Sequence, residues 1–378
     1  MDAFIPVANS DVSGNEEKYV VDAIRSTWIS SSGTYVTRFE RELAELCGTR
    51  AAIAVANGTV ALHLALLALG LERGDEVIVP SLSYIAAANA VRYVGAEPVF
   101  VDVEPHTWCI DPTKVTAAIT PRTKGIIPVH LYGHPADMDP LGEVARAHGL
   151  WLLEDAAEAH CASYKGRATG SLGAIATFSF YGNKVLTAGE GGALTTDDPE
   201  LEARARLLKN QGMDPERRYF HPVVGHNFRL TNVACAILCA QLERKTAILG
   251  RRRQIFARYR AALEGAPGIG FQPVAPWAEV SPWLFCITVD EAAAGIGRDA
   301  LMAELKDARI DSRPFFIPLH RMPPYEAASR ARGEHLPRAE RLSASGINLP
   351  TYNALSDSDV DRITAVIRRA CTHASSRP

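Results

Sequence analysis

Trp151-Leu152-Leu153-Glu154-Asp155-Ala156-Ala157-Glu158-Ala159-His160 begins as a short apolar run and ends in a cluster of acids and a histidine. Apolar runs of this length, without polar alternation, fit parallel strands covered on both faces. The pattern recurs outward in both directions. Strands are predicted at Ala51–Ala56, Val77–Val79, Pro98–Val103, Gly125–His130, Trp151–Glu154, Ala174–Phe180 and Gly192–Thr196. Helices are predicted between them at Thr59–Leu69, Ser83–Val94 and Pro140–His148. This βαβ alternation predicts a doubly wound α/β sheet.

Beyond it the character changes. Helices are predicted at Pro199–Asn210, at Asn232–Tyr259 as one long Arg-rich helix, at Asp299–Arg309 and at Asp357–Ala370. Leu284–Val289 reads as a strand and Ile310–Ile317 as extended chain. A boundary is expected near residue 245, giving a large domain at 1–245 and a smaller one at 246–378. That division suits a chain of 378 residues.

Composition narrows the class. Hydrophobic residues make up 47%, charged residues 22%, and the net charge is −3, which excludes disordered and disulfide-scaffold chains. The near-neutral balance gives no electrostatic reason to expect nucleic acid or an anionic membrane. Met1–Ser10 has neither a basic n-region nor an apolar h-region, and no run reaches the roughly 18 apolar residues that span a bilayer. The seven cysteines are scattered, with Cys235 and Cys239 expected as small core residues, and a cytoplasmic protein is expected. Only eight residues are lysine, so a lysine with covalent chemistry has few candidates.

Open α/β sheets bind ligands at the C-terminal ends of their strands. Three features fall there. Asn57-Gly58-Thr59 turns the first strand into a helix, whose first N–H groups and the Thr59 hydroxyl can hold a phosphate. Asp155 and Glu158 follow an apolar strand, where an acid needs a partner such as a protonated heterocycle nitrogen. Lys184 closes Phe178-Ser179-Phe180-Tyr181-Gly182-Asn183-Lys184, and a desolvated amine there serves as nucleophile and base. Singly, each has an ordinary reading as a turn, a helix cap or a surface lysine. Together they are the parts of a pyridoxal phosphate site, with Tyr84 as an aromatic face for the ring. No Gly-x-Gly-x-x-Gly turn follows the first strand, which disfavours a nicotinamide enzyme. No metal site is expected.

The chain resembles the DegT/DnrJ/EryC1/StrS sugar aminotransferase family. The resemblance covers nearly the whole length. It rests on Trp28-Ile29-Ser30-Ser31, Asn57-Gly58-Thr59, Pro80–Tyr84, Val129–Gly133, Glu154–His160, Phe178–Lys184, Gly225–Asn232, Arg313-Pro314 and Pro318-Leu319-His320. It implies the pyridoxal phosphate-dependent aspartate aminotransferase fold (fold type I), with a mostly parallel sheet in the large domain and a smaller C-terminal α/β domain. It also implies roles. Lys184 is the Schiff-base lysine, Asp155 partners the ring nitrogen, Tyr84 stacks on the ring, and Glu158 lies near the ring hydroxyl. Gly58, Thr59 and Ser179 hold the phosphate, and Asn227 reaches it from a neighbouring subunit, so the active unit is a homodimer. Trp28, Ser30, Arg229, Arg313 and His320 are candidates for the sugar-nucleotide side. His226 stands where the family pattern leads one to expect an aromatic residue.

Glu154–Ala159, Phe180–Lys184 and Gly346-Ile347-Asn348-Leu349-Pro350 resemble the branch that aminates GDP-4-keto-6-deoxymannose, with L-glutamate as donor. The alternatives are a dTDP-linked or 3-keto sugar, a keto-cyclitol, or a non-catalytic binder of the cofactor or sugar nucleotide. A sibling class of dehydratases carries histidine at the Schiff-base position, and Lys184 argues against it.

Overall fold

A computed structural model describes residues 3–374; the first two residues of the Met1–Ser10 segment lie outside it. Seven strands form the main sheet: β1 (Ala51–Val55), β2 (Glu76–Pro80), β3 (Glu97–Val101), β4 (Thr123–Ile126), β5 (Trp151–Asp155), β8 (Ile175–Ser179) and β9 (Gly192–Thr196). Between β5 and β8 lie the short strands β6 (Ser163–Tyr164) and β7 (Arg167–Ala168); β6 pairs with β7 on one side and with β11 (Ala278–Glu279) on the other. A separate four-stranded sheet contains β10 (Ile269–Phe271), β12 (Phe285–Val289), β13 (Arg313–Pro314) and β14 (Gly346–Leu349).

The main sheet runs β1-β9-β8-β5-β4-β2-β3. The pairs from β8 through β3 are parallel, whereas β9 is antiparallel to both β8 and β1. The reversal is local: chain leaving β8 doubles back, with Phe180 N–H bonded to Gly191 O (2.8 Å) and Ala188 N–H to Phe180 O (3.1 Å). Strands β1, β2 and β9 are buried at every position, as expected for strands covered on both faces.

The helices on this sheet start where the sequence supplies caps. After α1 (Glu16–Arg25) and α2 (Thr34–Cys47), Asn57 Oδ1 accepts Val60 N–H (2.9 Å) at the head of α3 (Gly58–Ala68). Asp198, followed by Pro199, caps the helix Pro199–Lys209. Glycines in the left-handed conformation close Thr34–Cys47 (Gly48) and Met138–His148 (Gly149).

Three expectations are corrected. Asn232–Tyr259 is two helices, Asn232–Glu243 and Lys245–Leu263, separated at Arg244, where φ is −99° and ψ 2°. The strand expected over Gly125–His130 stops at Ile126, because Pro128 has no N–H to donate; only Val129 bridges to Asp155 afterward. Of Ile310–Ile317, only Arg313–Pro314 pairs as strand.

Two apolar cores result. The larger covers both faces of the main sheet and takes in Trp283, Leu284, Phe315, Leu319, Tyr325 and Leu336 from the C-terminal part. The smaller gathers Ile255, Tyr259, Leu263, Phe285, Ile287, Leu305, Ile363 and Ile367, together with Ile5. The helix Lys245–Leu263 belongs to both: Ile248 and Leu249 lie in the first, Ile255 onward in the second. Among the described residues, no helix is long and apolar enough to cross a membrane.

Candidate active site

Strands β1, β2, β5 and β8 end along one edge of the main sheet, and β9 begins there. Asp155 is the last residue of β5, and Ser179 the last of β8. Past Ser179 a tight turn, with Lys184 N–H bonded to Tyr181 O (2.9 Å), carries Lys184 back over the edge. Thr187 fixes this excursion, its hydroxyl donating to Phe180 O (2.9 Å) and accepting Gly189 N–H (2.9 Å).

The Lys184 side chain is only 11% exposed, and its Nζ lies 3.8 Å from Glu158 Oε1. Burial pushes the amine below its ordinary range, and Glu158 and Asp155 oppose that shift. Glu158 is pushed up to about 7, chiefly by burial; Lys184 and the Tyr132 N–H, which donates to Oε2 (2.7 Å), hold it back. Asp155 is likewise raised by burial, against the Ala157 N–H (3.1 Å to Oδ1) and Lys184. No helix follows Asp155; residues 156–162 are turns, so its carboxyl is not spent on capping. Two buried carboxyls thus stand beside one buried amine, a setting in which a ligand carrying a proton finds partners.

Beside this cluster lies a close-packed cradle. A Cβ on Gly58 would fall 2.7 Å from Ser179 Cβ, and one on Gly192 would fall 2.3 Å from Asn57 O. Only glycine lets the head of α3 approach β8 and β9 this closely. Its first-turn N–H groups, beside the hydroxyl-bearing Thr59 and Ser179, suit an anion.

The remaining candidates are spread. Tyr84, just past β2, is 58% exposed, with its ring 5.7 Å from that of Phe316. Asn227 and Arg229 are exposed beside the end of β1, where Phe228 O accepts Ala56 N–H (2.9 Å) and Arg229 bridges to Val55. Arg229 Nη1 donates to Asn210 Oδ1 (3.1 Å). His226 stacks on Phe228 at 4.6 Å and 8°, so it occupies an aromatic position. Trp28 and Ser30 are exposed, and their carbonyls accept from Asn232 (2.7 Å to Nδ2 and 2.5 Å to the backbone N). Arg313 is exposed and pairs with Asp311 (3.2 Å). His320 is buried, with Nδ1 2.6 Å from Ser81 Oγ and Nε2 3.0 Å from Glu340 Oε1. Lys184, Glu158 and Asp155 are therefore gathered with the close approach of Gly58 to Ser179, whereas His320 is bonded to Ser81 and Glu340 and Arg313 pairs with Asp311.

Sequence reasoning passed over two contributors. Glu154, beside Asp155, accepts His130 Nε2 (3.0 Å) and the N–H groups of Gly170, Leu172 and Gly173, which anchors the strand end from below. Trp283, from the C-terminal part, places its ring centre 3.9 Å from Lys184 Nζ. Neither contact leaves a signal in spacing, since one partner of each arrives through tertiary folding.

A buried lysine, two buried carboxyls and the closely packed head of α3 now stand at one sheet edge. The DegT/DnrJ/EryC1/StrS aminotransferase family model matches residues 10–368. The chain belongs to the DegT/DnrJ/EryC1/StrS aminotransferase family. It is 48% identical over 364 residues to the GDP-perosamine synthase of Caulobacter vibrioides, covering 96% of this chain and 97% of that one. It is 43% identical over 357 residues to that of Escherichia coli O157:H7, covering 94% and 96%. Among solved structures it is similar to Streptomyces venezuelae DesV in complex with a ketimine intermediate (38% identity, TM-score 0.90, covering 98% and 99%). It is also similar to DesI in the presence of its TDP-sugar product (36% identity, TM-score 0.91, covering 100% and 95%). As a member of the DegT/DnrJ/EryC1/StrS family, this chain is a pyridoxal phosphate-dependent sugar aminotransferase. The residues present fit that cofactor. The first N–H groups of α3 with the Thr59 and Ser179 hydroxyls suit its phosphate, and the buried Asp155 carboxyl suits its protonated ring nitrogen.

Proposed function

We propose that this enzyme moves an amino group from L-glutamate to the keto carbon of GDP-4-keto-6-deoxy-D-mannose, giving GDP-perosamine. The observation that carries the reading is the buried Lys184–Glu158 contact (3.8 Å) beside Asp155 at the sheet edge. The names and 43–48% identities of the Caulobacter and Escherichia relatives support the choice of sugar. Bound cofactor supplies an aldehyde that takes up nitrogen and a ring that draws electrons from the adjacent carbon. Lys184 would hold the cofactor at rest, and its amine, once free, would move a proton at the substrate carbon. Asp155 would keep a proton on the ring nitrogen, Glu158 would serve the ring hydroxyl and Tyr84 would cover the ring. Gly58, Thr59 and Ser179 hold the phosphate.

Asn227 completes that phosphate site in a second copy, which makes the working unit a homodimer. The exposed apolar side chains beside it, Tyr219 (75%) and Val224 (88%), support a covered surface there. Trp28, Ser30, Arg229 and Arg313 serve the sugar nucleotide. His320, with both ring nitrogens engaged, acts through Ser81 on the Pro80–Tyr84 loop. In this reading residues 1–245 are the large part and 246–378 the smaller one.

The test is a substrate panel with L-glutamate as donor: GDP-4-keto-6-deoxymannose, a dTDP-4-keto-6-deoxy sugar and scyllo-inosose. The GDP sugar is expected to give kcat/KM at least about tenfold above the others. A higher value for the dTDP sugar or the cyclitol would overturn the assignment.

A further inference from the structure

Trp283 is placed with more restraint than a packing residue needs. It is 3% exposed. Its indole N–H donates to Asn183 O (2.8 Å), the residue before Lys184. Its backbone N–H is bonded to Ser281 O (2.8 Å), and Ser281 N–H in turn to Gly133 O (3.0 Å). Its carbonyl accepts Arg252 Nη1 (2.9 Å). Arg252 is itself buried, and the same nitrogen reaches Thr351 O (3.2 Å), while Nε donates to Asn353 Oδ1 (3.0 Å). A guanidinium is thus buried on carbonyl oxygens in order to hold this turn, a costly arrangement that fixes the indole. The Tyr132 ring stacks with it at 6.2 Å and 26°.

The amine held there has an unusual setting. Lys184 Nζ is 3.9 Å from the indole ring centre and 3.8 Å from Glu158 Oε1. The second distance is too long for a hydrogen bond, so the amine is attracted from two sides without a fixed donor geometry. Asp155 and His160 are the other titratable groups that feel it.

We infer that Trp283 is a positioning residue for catalysis: its ring face is the resting place of the Lys184 amine whenever that amine is not bonded to the cofactor. The inference rests on the reading of Lys184 as the covalent lysine. In amino transfer Lys184 would be released from the cofactor in the first half-reaction and would bond to it again only at the end of the second. In between, its amine must stay near, dry and able to give or take a proton. A close carboxylate would lock it as an ammonium ion. A π face attracts the charged form without directionality and offers no competing hydrogen-bond acceptor. The carbonyl of Asn183, tied to the indole N–H, fixes the backbone from which the side chain swings.

The experiment uses the cofactor-free protein, so it reads the resting place and not turnover. Trace acetylation with acetic anhydride across a pH series, followed by peptide mass spectrometry, measures the free-amine fraction of Lys184. The proteins compared are wild type, Trp283→Leu and Trp283→Phe. Removing the π face destabilises the ammonium form, so Lys184 in Trp283→Leu is expected to label about tenfold faster near neutral pH. Trp283→Phe keeps a ring, and its profile should stay within about twofold of wild type. Lys209, also buried but paired with Glu40 (3.0 Å), is the internal control for intact folding and should not change. Unchanged or slower Lys184 labelling in Trp283→Leu, or Trp283→Phe behaving like Trp283→Leu, would overturn the inference. Failure of the underlying reading looks different: reduction of the loaded wild type would attach the cofactor to another lysine.

Discussion

Gly192→Ala probes the cofactor cradle at a position that touches no reacting atom. Gly192 opens β9, and a Cβ there would meet Asn57 O at 2.3 Å and Gly58 N at 2.8 Å. Ordinary contact begins at 3.4 Å, so the loop at the head of α3 must retreat by about 1 Å. Overpacking of this kind costs about 1–3 kcal/mol of stability. The first N–H groups of α3 move with the loop, and each charge-assisted hydrogen bond lost to a phosphate is worth about 1.5–3 kcal/mol. Cofactor affinity should therefore fall about ten- to a hundredfold. Titration of the cofactor-free variant, followed by absorbance and by quenching of tryptophan emission, measures that loss. Urea unfolding measures the stability term separately. Gly250→Ala is the matched control: Gly250 lies within the helix Lys245–Leu263 with nothing within 4 Å of the added Cβ. It should stabilise by up to about 1 kcal/mol and leave affinity unchanged. A Gly192→Ala protein that unfolds earlier yet binds cofactor within about twofold of wild type would refute the cradle, leaving the close approach as packing alone.

Glu158→Gln carries a pH signature. The folded-state carboxyl sits up at about 7 against an ordinary 4.5, so the folded protein keeps a proton that the unfolded chain has released. The penalty is absent below pH 4.5 and grows as pH rises through this window, to about 3 kcal/mol. The stability of the variant relative to wild type, from urea unfolding of the cofactor-free proteins, should therefore rise with pH between 4.5 and 7; a flat difference contradicts it. Lys209→Met leaves Glu40 buried with Arg206 (2.9 Å) and the Ala54 N–H (2.9 Å) as remaining partners. It should cost about 2 kcal/mol in the same assay, and Glu40→Gln in the same chain should recover part of that loss.

The main sheet was legible because Glu76–Pro80 and Trp151–Asp155 are apolar almost throughout, and burial on both faces leaves that mark in sequence. The direction of β9 was not. Gly192-Ala193-Leu194-Thr195-Thr196 is as buried as its neighbours, and burial carries no polarity of chain direction. The break at Arg244 was hidden because arginine is a good helix former, so nothing local announces the end of Asn232–Glu243. At the site, Lys184 and Asp155 stood out because a charged residue after an apolar strand is costly without a purpose. Glu154 offered the same signal, yet His130 and three backbone N–H groups satisfy it. His320 carries the right donors but is buried against Ser81 and Glu340, a depth that its own tripeptide does not encode. Trp283 contacts Lys184 only because the Arg252-held turn returns to the sheet edge, and no motif spacing records that.

The central claim is that Lys184, alone among the eight lysines, bonds to the cofactor. Borohydride reduction of the cofactor-loaded enzyme freezes that bond, and peptide mass mapping then locates it. The expected result is the pyridoxyl mass on the peptide containing Lys184 and on no other, with Lys184→Ala losing both the mass and transfer from L-glutamate. The added mass on Lys209 or any other lysine, or full turnover in Lys184→Ala, would contradict it.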